Sequence, residues 1–417
     1  MRVNLPYRRE TISVCVDDAR CAGVVYPNDV SGRDERTVIL SALDKPSGSL
    51  SLADCLGGND DILVLVNDAT RPTPTARILA ILKERIPLSR CHFLVATGSH
   101  RMPDDGELRW IFGEEVEELA AHGRIHCHDA KNDAELVFFG HTAAGHPVTL
   151  NRRVAEARKI LVLTTVEPHY FGGYTGGRKS FLPGVAGYET IRLNHRLALK
   201  PEAVTLALEG NPVHEEMDSC LDLLKDKAIF TLQMVMDRHH TLVAAAAGDI
   251  RISFRQAVAE ADRVFCVDVP ERADAVVTVA PHPMDIDLYQ SQKAVENAKP
   301  IVKPGGIIIL VSSCRTGIGP DTFYNLMAGC RTPHEVMDRI SEEYRLGYHK
   351  AAKLVEAAMM GELWAVTDLE PRLLESIFIR PLPDVQTAVD SALKQTGPDS
   401  RVMFIPEGSI TVPRVVS

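Results

Sequence analysis

The chain has 417 residues, 45% of them hydrophobic and 24% charged, an ordinary globular composition that at roughly 150 residues per domain predicts two or three domains. Lys and Arg total 46 against 56 Asp and Glu, a formal charge of −10, which argues against nucleic acid or an anionic membrane as partner and leaves room for a local basic pocket. The nine cysteines form no Cys-x-x-Cys pair, the pattern of a reducing compartment. The opening MRVNLPYRRETISV lacks the apolar core of a secretory signal, and apolar runs elsewhere are strand-sized. The expected location is cytoplasmic.

Taken in chain order, continuous β-branched runs predict strands at Ile62–Val66, His92–Ala96, Ile160–Thr164, Ile229–Met234, Val264–Val269, Ala275–Val279 and Ile307–Val311. Helical patterns lie at Thr75–Ile86, Glu114–His122, Phe254–Ala261, Tyr289–Ala298, Thr332–Glu343, Tyr348–Gly361 and Asp384–Lys394. The alternation predicts an α/β protein with mostly parallel sheets. A break is expected near 265–285, where Pro270 and four charged residues interrupt the pattern. This divides the chain into an N-terminal domain, 1–268, and a smaller C-terminal α/β domain, 269–417, whose last ~20 residues pack back on the first.

Four loops follow strand-like runs, where open α/β sheets hold their ligands. In Asn67–Thr75, Thr73 is expected to cap a helix with Pro74 at its first position. Asp68 and Arg71 then stand at a helix N-terminus, either as an anion clamp or as an internal ion pair. In Ala96–Arg101, His100 sits where a general base would sit, or is simply an exposed loop histidine. The third loop, Glu167–Gly184, carries Gly172, Gly173, Gly176 and Gly177, glycines that let backbone approach a ligand. It resembles a phosphate loop, but Arg178 intrudes before Lys179-Ser180. It gathers His169, Arg178 and Lys179, with Lys179 either a point charge for phosphate or a covalent attachment point. Further on, His195 lies on an expected helix as a metal-ligand candidate with no partner at zinc-type spacing, or as an ordinary helix histidine. In the fourth loop, Pro281–Lys293, Tyr289, Gln290 and Lys293 crowd one helix start. His126-Cys127-His128-Asp129 and His239-His240 read as a strand and a surface turn.

These loops together resemble the nickel-dependent lactate racemase family, which includes other 2-hydroxy-acid racemases and epimerases. NDATRPTPT at Asn67–Thr75, TGSHR at Thr97–Arg101, EPHYFGGYTGGRKSFLPG at Glu167–Gly184, LNH at Leu193–His195 and YQSQK at Tyr289–Lys293 occur in the family's order. The resemblance implies two α/β domains with the active site in the cleft between them. It implies a nickel-pincer nucleotide cofactor, a pyridinium-3-thioamide-5-thiocarboxylate mononucleotide joined to Lys179, with nickel on His195. His100 and His169 fall at the catalytic positions. Asp68, Thr70, Gly176, Gly177 and Arg178 fall at positions that serve the cofactor, Asp68 serving either it or a histidine. Arg71, Tyr289, Gln290 and Lys293 fall at positions that hold substrate. The implied partners are a small 2-hydroxy acid and the proteins that mature the cofactor.

The implied activity is racemisation or epimerisation of a 2-hydroxy acid by proton-coupled hydride transfer through a 2-keto acid, with one histidine for each enantiomer. Two other classes stay open: a nucleotide-binding ATPase or kinase on the Gly172–Ser180 loop, and a non-catalytic ligand-binding homologue. The substrate is not named by the sequence, although Arg101 or Arg178 offers a charge for a second carboxylate.

Overall fold

The computed structural model describes residues 1–30 and 32–416. They divide into two compact units, one formed by 29–264 and the other by 1–28 with 265–417. Each is built on a six-stranded sheet, so the expectation of α/β units with mostly parallel strands holds. No helix among the described residues is long and apolar enough to cross a membrane.

In the 29–264 unit the strands lie in the order Leu242–Gly248, Ala228–Met236, Lys159–Thr165, Ile62–Asn67, Cys91–Ala96, Ile125–Cys127. The edge strand Leu242–Gly248 is antiparallel to its neighbour, and the other pairings are parallel. The central runs Ile62–Val66 and Ile160–Leu163 are buried on both faces, which is why their apolar residues are continuous and not alternating. Helices Glu35–Asp44, Thr75–Leu82 and Asp105–Phe112 cover the sheet with Ile39, Ile78, Leu79, Ile111 and Phe112. Because Lys159–Thr165, Ile62–Asn67 and Cys91–Ala96 are parallel neighbours, their carboxyl ends deliver three of the motif loops to one edge of the sheet.

The other unit has the all-parallel order Arg380–Pro381, Glu362–Val366, Val302–Val311, Ala273–Val279, Val402–Ile405, Cys21–Val24. Here the domain expectation needs correction. Residues 1–28 belong with 265–417, because Cys21–Val24 is the edge strand beside Val402–Ile405. The hairpin Arg2–Tyr7/Glu10–Cys15 buries Val3, Leu5 and Val14 in the same core. Near the chain's end, Val412–Val415 pairs in parallel with Cys266–Val269 inside this unit. The strand expected at Val264 starts at Cys266, since Val264 and Phe265 finish the helix Ile250–Phe265.

Candidate functional site

The loop after Ile62–Asn67 does not use Thr73 as a helix cap. Helix Thr75–Leu82 begins behind Pro74 without a side-chain cap. Thr73 turns inward, its Oγ1 2.7 Å from Asn67 Oδ1 and 3.0 Å from Thr165 Oγ1, tying two strand ends together. Of the two readings left open for Asp68 and Arg71, the internal ion pair is not the one formed, since each has another partner. Asp68, only 6% exposed, accepts from Thr70 Oγ1 at 2.6 Å and meets His100 Nδ1 at 2.6 Å. Arg71 Nη1 stands 3.8 Å from Glu167. Burial pushes the Asp68 carboxyl up, but the hydrogen bond and charge of His100, with Thr70 and Arg71, hold it below the usual carboxylate range. A carboxylate only accepts, so His100 Nδ1 carries a proton, and in the neutral form of the ring the lone pair is on Nε2.

His169 is held in the opposite sense. It is buried, and its Nδ1 accepts from the Gly172 amide at 3.2 Å, which leaves the proton of the neutral ring on Nε2. The Phe171 ring is the hub of this region. His169 lies edge-on to it at 4.6 Å between ring centroids and His195 at 5.1 Å, while Lys179 Nζ is 5.9 Å from its centre. His195 sits on the last turn of helix Tyr188–Arg196. Burial, then the charges of Lys179 and His100, push its imidazole down to about 3, so it is a neutral nitrogen donor at ordinary pH. The Gly98 amide donates to the Gly184 carbonyl at 2.9 Å, closing the His100 loop onto the end of the glycine loop.

The glycines have a different cause from the one the sequence suggested. A Cβ on Gly173 would lie 2.1 Å from the Ala207 carbonyl oxygen, and one on Gly176 would lie 2.6 Å from Val166 Cγ2. Both have positive φ, +72° and +103°. The glycines let the loop pack against its own unit. The Gly177 amide, which a phosphate loop would aim at its ligand, donates to Gln233 Oε1 at 3.0 Å.

Arg178 also belongs to the loop's own structure. It is 2% exposed, its Nη2 donates to the Gly172 and Tyr174 carbonyls at 2.9 and 3.1 Å, and its guanidinium lies 4.1 Å from the Phe254 ring centre. Arg101 is held by Glu107 through two 2.8 Å contacts. Both arginines suggested for a second carboxylate therefore already have partners.

Sequence reasoning missed the residues that hold this loop from behind. Gln233, fully buried, bonds Gly177, Ile250 and Ser253. Asn211 Nδ2 donates to the Phe171 carbonyl at 3.0 Å while its Oδ1 caps helix Pro212–Leu221. Tyr174 hydrogen bonds Asp262. The one signal available was Asn before Pro at a helix start.

Tyr289, Gln290 and Lys293 lie in the other unit, on helix Leu288–Ala298. Asp287 caps this helix, accepting from the Gln290 amide at 2.6 Å. Tyr289 meets Phe323 edge-on at 5.3 Å. His126, from the set-aside stretch His126–Asp129, lies on an edge strand and stacks on His92 of the neighbouring strand at 5.7 Å.

Comparison with known proteins bears on the family and the fold. The family model of the lactate racemase N-terminal domain matches residues 7–206, and that of the lactate racemase C-terminal domain matches 269–412. The chain belongs to the lactate racemase family. The lactate racemase of Lactiplantibacillus plantarum is 29% identical over 97% of this chain and 98% of its own length. That of Thermoanaerobacterium thermosaccharolyticum is 28% identical over 99% of both. The apoprotein structure of lactate racemase from T. thermosaccharolyticum superposes with a TM-score of 0.91 at 27% identity, covering 99% of this chain and all of that one. A Thermotoga maritima protein shares the fold, with a TM-score of 0.70 at 17% identity over 93% of this chain and all of that one. The resemblance read from the five motifs is thus borne out.

Proposed function

We propose that this lactate racemase family member is an isomerase that interconverts the enantiomers or epimers of a 2-hydroxy acid, lactate or a larger one. It works through proton-coupled hydride transfer and a 2-keto acid, with the nickel-pincer nucleotide on Lys179 as cofactor. The observation that carries the reading is the meeting of Asp68-held His100, His169, Lys179 and His195 within one unit, three of them around a single phenyl ring.

The residues fit the cofactor. Among the described residues no three His, Cys, Asp or Glu side chains gather as a metal site. A metal at His195 would take its other donors from the group that carries it, and burial keeps the His195 imidazole neutral for that role. The Lys179 amine stands over the same Phe171 ring. When bound, the cofactor supplies the acceptor and donor of hydride.

The chain's own residues do the acid–base and binding work. The C2 hydrogen beside a carboxylate is weakly acidic, so it leaves more easily as hydride while the hydroxyl gives up its proton. His100 Nε2 takes that proton, and the Asp68 carboxylate stabilises the imidazolium that forms. His169 faces the other enantiomer with Nε2–H. For it to act as base, its Nδ1 must take the proton and the Gly172 hydrogen bond must give way. Arg71, Tyr289, Gln290 and Lys293 hold the substrate in this reading, Arg71 and Lys293 by its carboxylate. Maturation proteins that load the cofactor are the cellular partners of this reading.

Protein loaded with cofactor is incubated with enantiopure D- and L-lactate and a panel of larger acids, and the products are separated on a chiral column. Convergence on a mixture of both enantiomers is expected, with nickel bound to the wild type and missing from His195→Ala and Lys179→Ala. Racemisation by nickel-free protein would sink the reading.

A further inference from the structure

We propose that Lys350 is a positioning residue for the substrate-binding end of helix Leu288–Ala298, acting through Tyr289. This rests on the reading above, in which Tyr289, Gln290 and Lys293 contact substrate. Lys350 comes from the first turn of helix Tyr348–Met360, a segment that carries none of the family motifs. It is only 5% exposed. Its Nζ donates to the Tyr289 carbonyl oxygen at 2.5 Å and lies 4.2 Å from the centre of the Tyr289 ring. One ammonium therefore grips both the backbone and the ring face of the same residue.

The two helices are fastened along their seam by ionic contacts, and these differ from end to end. At the far end, Lys299 bridges Glu296 at 3.0 Å and Glu356 at 2.9 Å, and Lys353 lies 3.3 Å from Glu356. At the end that begins with Tyr289, Lys350 engages a carbonyl and an aromatic face. Burying an ammonium is costly, and a hydrophobic side chain of similar size often serves stability equally well. What a hydrophobic side chain lacks is the fixed direction of the hydrogen bond and of the cation over the ring.

The remaining contacts of Tyr289 make that direction consequential. Phe323 meets its ring edge-on. Gly319, at φ +106°, packs so closely that a Cβ there would lie 2.6 Å from Tyr289 Cβ. A Cβ on Gly347, just before Lys350's helix, would stand 3.7 Å from the Tyr289 hydroxyl. The cap residue Asp287, which holds the Gln290 amide, feels the charges of Lys350, Arg315 and Lys293. Lys350 is thus held to the first turn of the helix at its carbonyl and its ring.

The test compares Lys350→Met with Lys353→Met, which alters the neighbouring buried lysine on the Glu356 side of the seam. Hydrogen exchange of the full-length protein without cofactor reads the helix directly. The amides of 288–293 are expected to exchange about tenfold faster in Lys350→Met and at the wild-type rate in Lys353→Met. In loaded enzyme, Lys350→Met is expected to raise KM for lactate about tenfold with kcat within about threefold, the pattern of lost uniform binding. Lys350→Arg, which keeps a cation for the ring, is expected to recover part of that KM. Unchanged exchange at 288–293, equal loosening by both Met variants, or faster exchange with unchanged KM would each overturn the proposal. A loaded wild type that racemises no 2-hydroxy acid would overturn the proposed function instead, while the exchange comparison still decides whether Lys350 sets the helix.

Discussion

The two candidate bases differ at a single nitrogen. His100 donates through Nδ1 to Asp68, whereas His169 accepts through Nδ1 from a backbone amide. Replacing Asp68 with Asn removes the group that favours Nδ1–H on His100 and stabilises its protonated form. Asp68→Asn is expected to lower kcat about 10²–10⁴-fold with little change in nickel content, read by chiral assay and metal analysis. Titration makes a second prediction at this scale. Burial, then the charge of Arg178, push the His214 imidazole down to about 3, and it packs against Phe254 at 6.1 Å. A histidine whose folded value is depressed binds its proton more readily in the unfolded chain. Its neutral burial therefore withdraws stability as pH falls from about 6.5 toward about 3. His214→Gln is expected to gain about 1 kcal/mol relative to wild type on going from pH 7 to pH 5, measured by urea unfolding at both values. His100, His169, Lys179 and His195 were singled out because they stand in the five ordered motifs; spacing alone left His100 and His195 with ordinary readings beside the functional ones. Gln233 and Asn211 were not, because nothing local distinguishes a buried amide that braces a loop from one on a surface.

The glycine loop is an element whose shape comes from its own unit. Its carbonyls at Gly172 and Tyr174 are satisfied by Arg178, its amide at Gly177 by Gln233, and Gly173 lies against the Ala207 carbonyl. Arg178→Met leaves two buried carbonyl oxygens without those donors and is expected to cost about 2–4 kcal/mol in chemical denaturation. Gly173→Ala brings a methyl onto a backbone oxygen at positive φ. It is expected to give protein that neither binds the cofactor nor melts cooperatively at the wild-type temperature, checked by differential scanning calorimetry. Apart from the start of Cys266–Val269, where the helix Ile250–Phe265 runs two residues into the expected strand, the helix and strand expectations in both units were met because each is a periodic or continuous apolar run. Cys21–Val24 escaped notice because four small, half-exposed residues carry no such pattern, and Thr73 misled because its hydroxyl found strand-end partners in place of a helix cap.

At the scale of the whole molecule, one unit is continuous in sequence and the other is closed by the chain's first 28 residues. A fragment spanning 29–264 is expected to fold alone, with cooperative melting by circular dichroism. A fragment spanning 265–417 is expected to aggregate or stay molten until residues 1–28 restore its edge strand and the hairpin carrying Val3, Leu5 and Val14. Independent cooperative folding of 265–417 would show that the hairpin and edge strand are dispensable. The −10 charge and the scattered thiols set expectations about partners and compartment, and the five ordered motifs named the family, because functional chemistry needs particular side chains at short, fixed spacings. Only the tertiary structure decided that residues 1–28 complete the C-terminal sheet, that Asp68 belongs to His100, and that the glycines and Arg178 serve the loop itself. Most of those outcomes depend on contacts between residues dozens to hundreds of positions apart, and even the short-range bonds of Arg178 to Gly172 and Tyr174 form only once Gln233 and Phe254 have packed around the loop, so no local pattern records which partner wins.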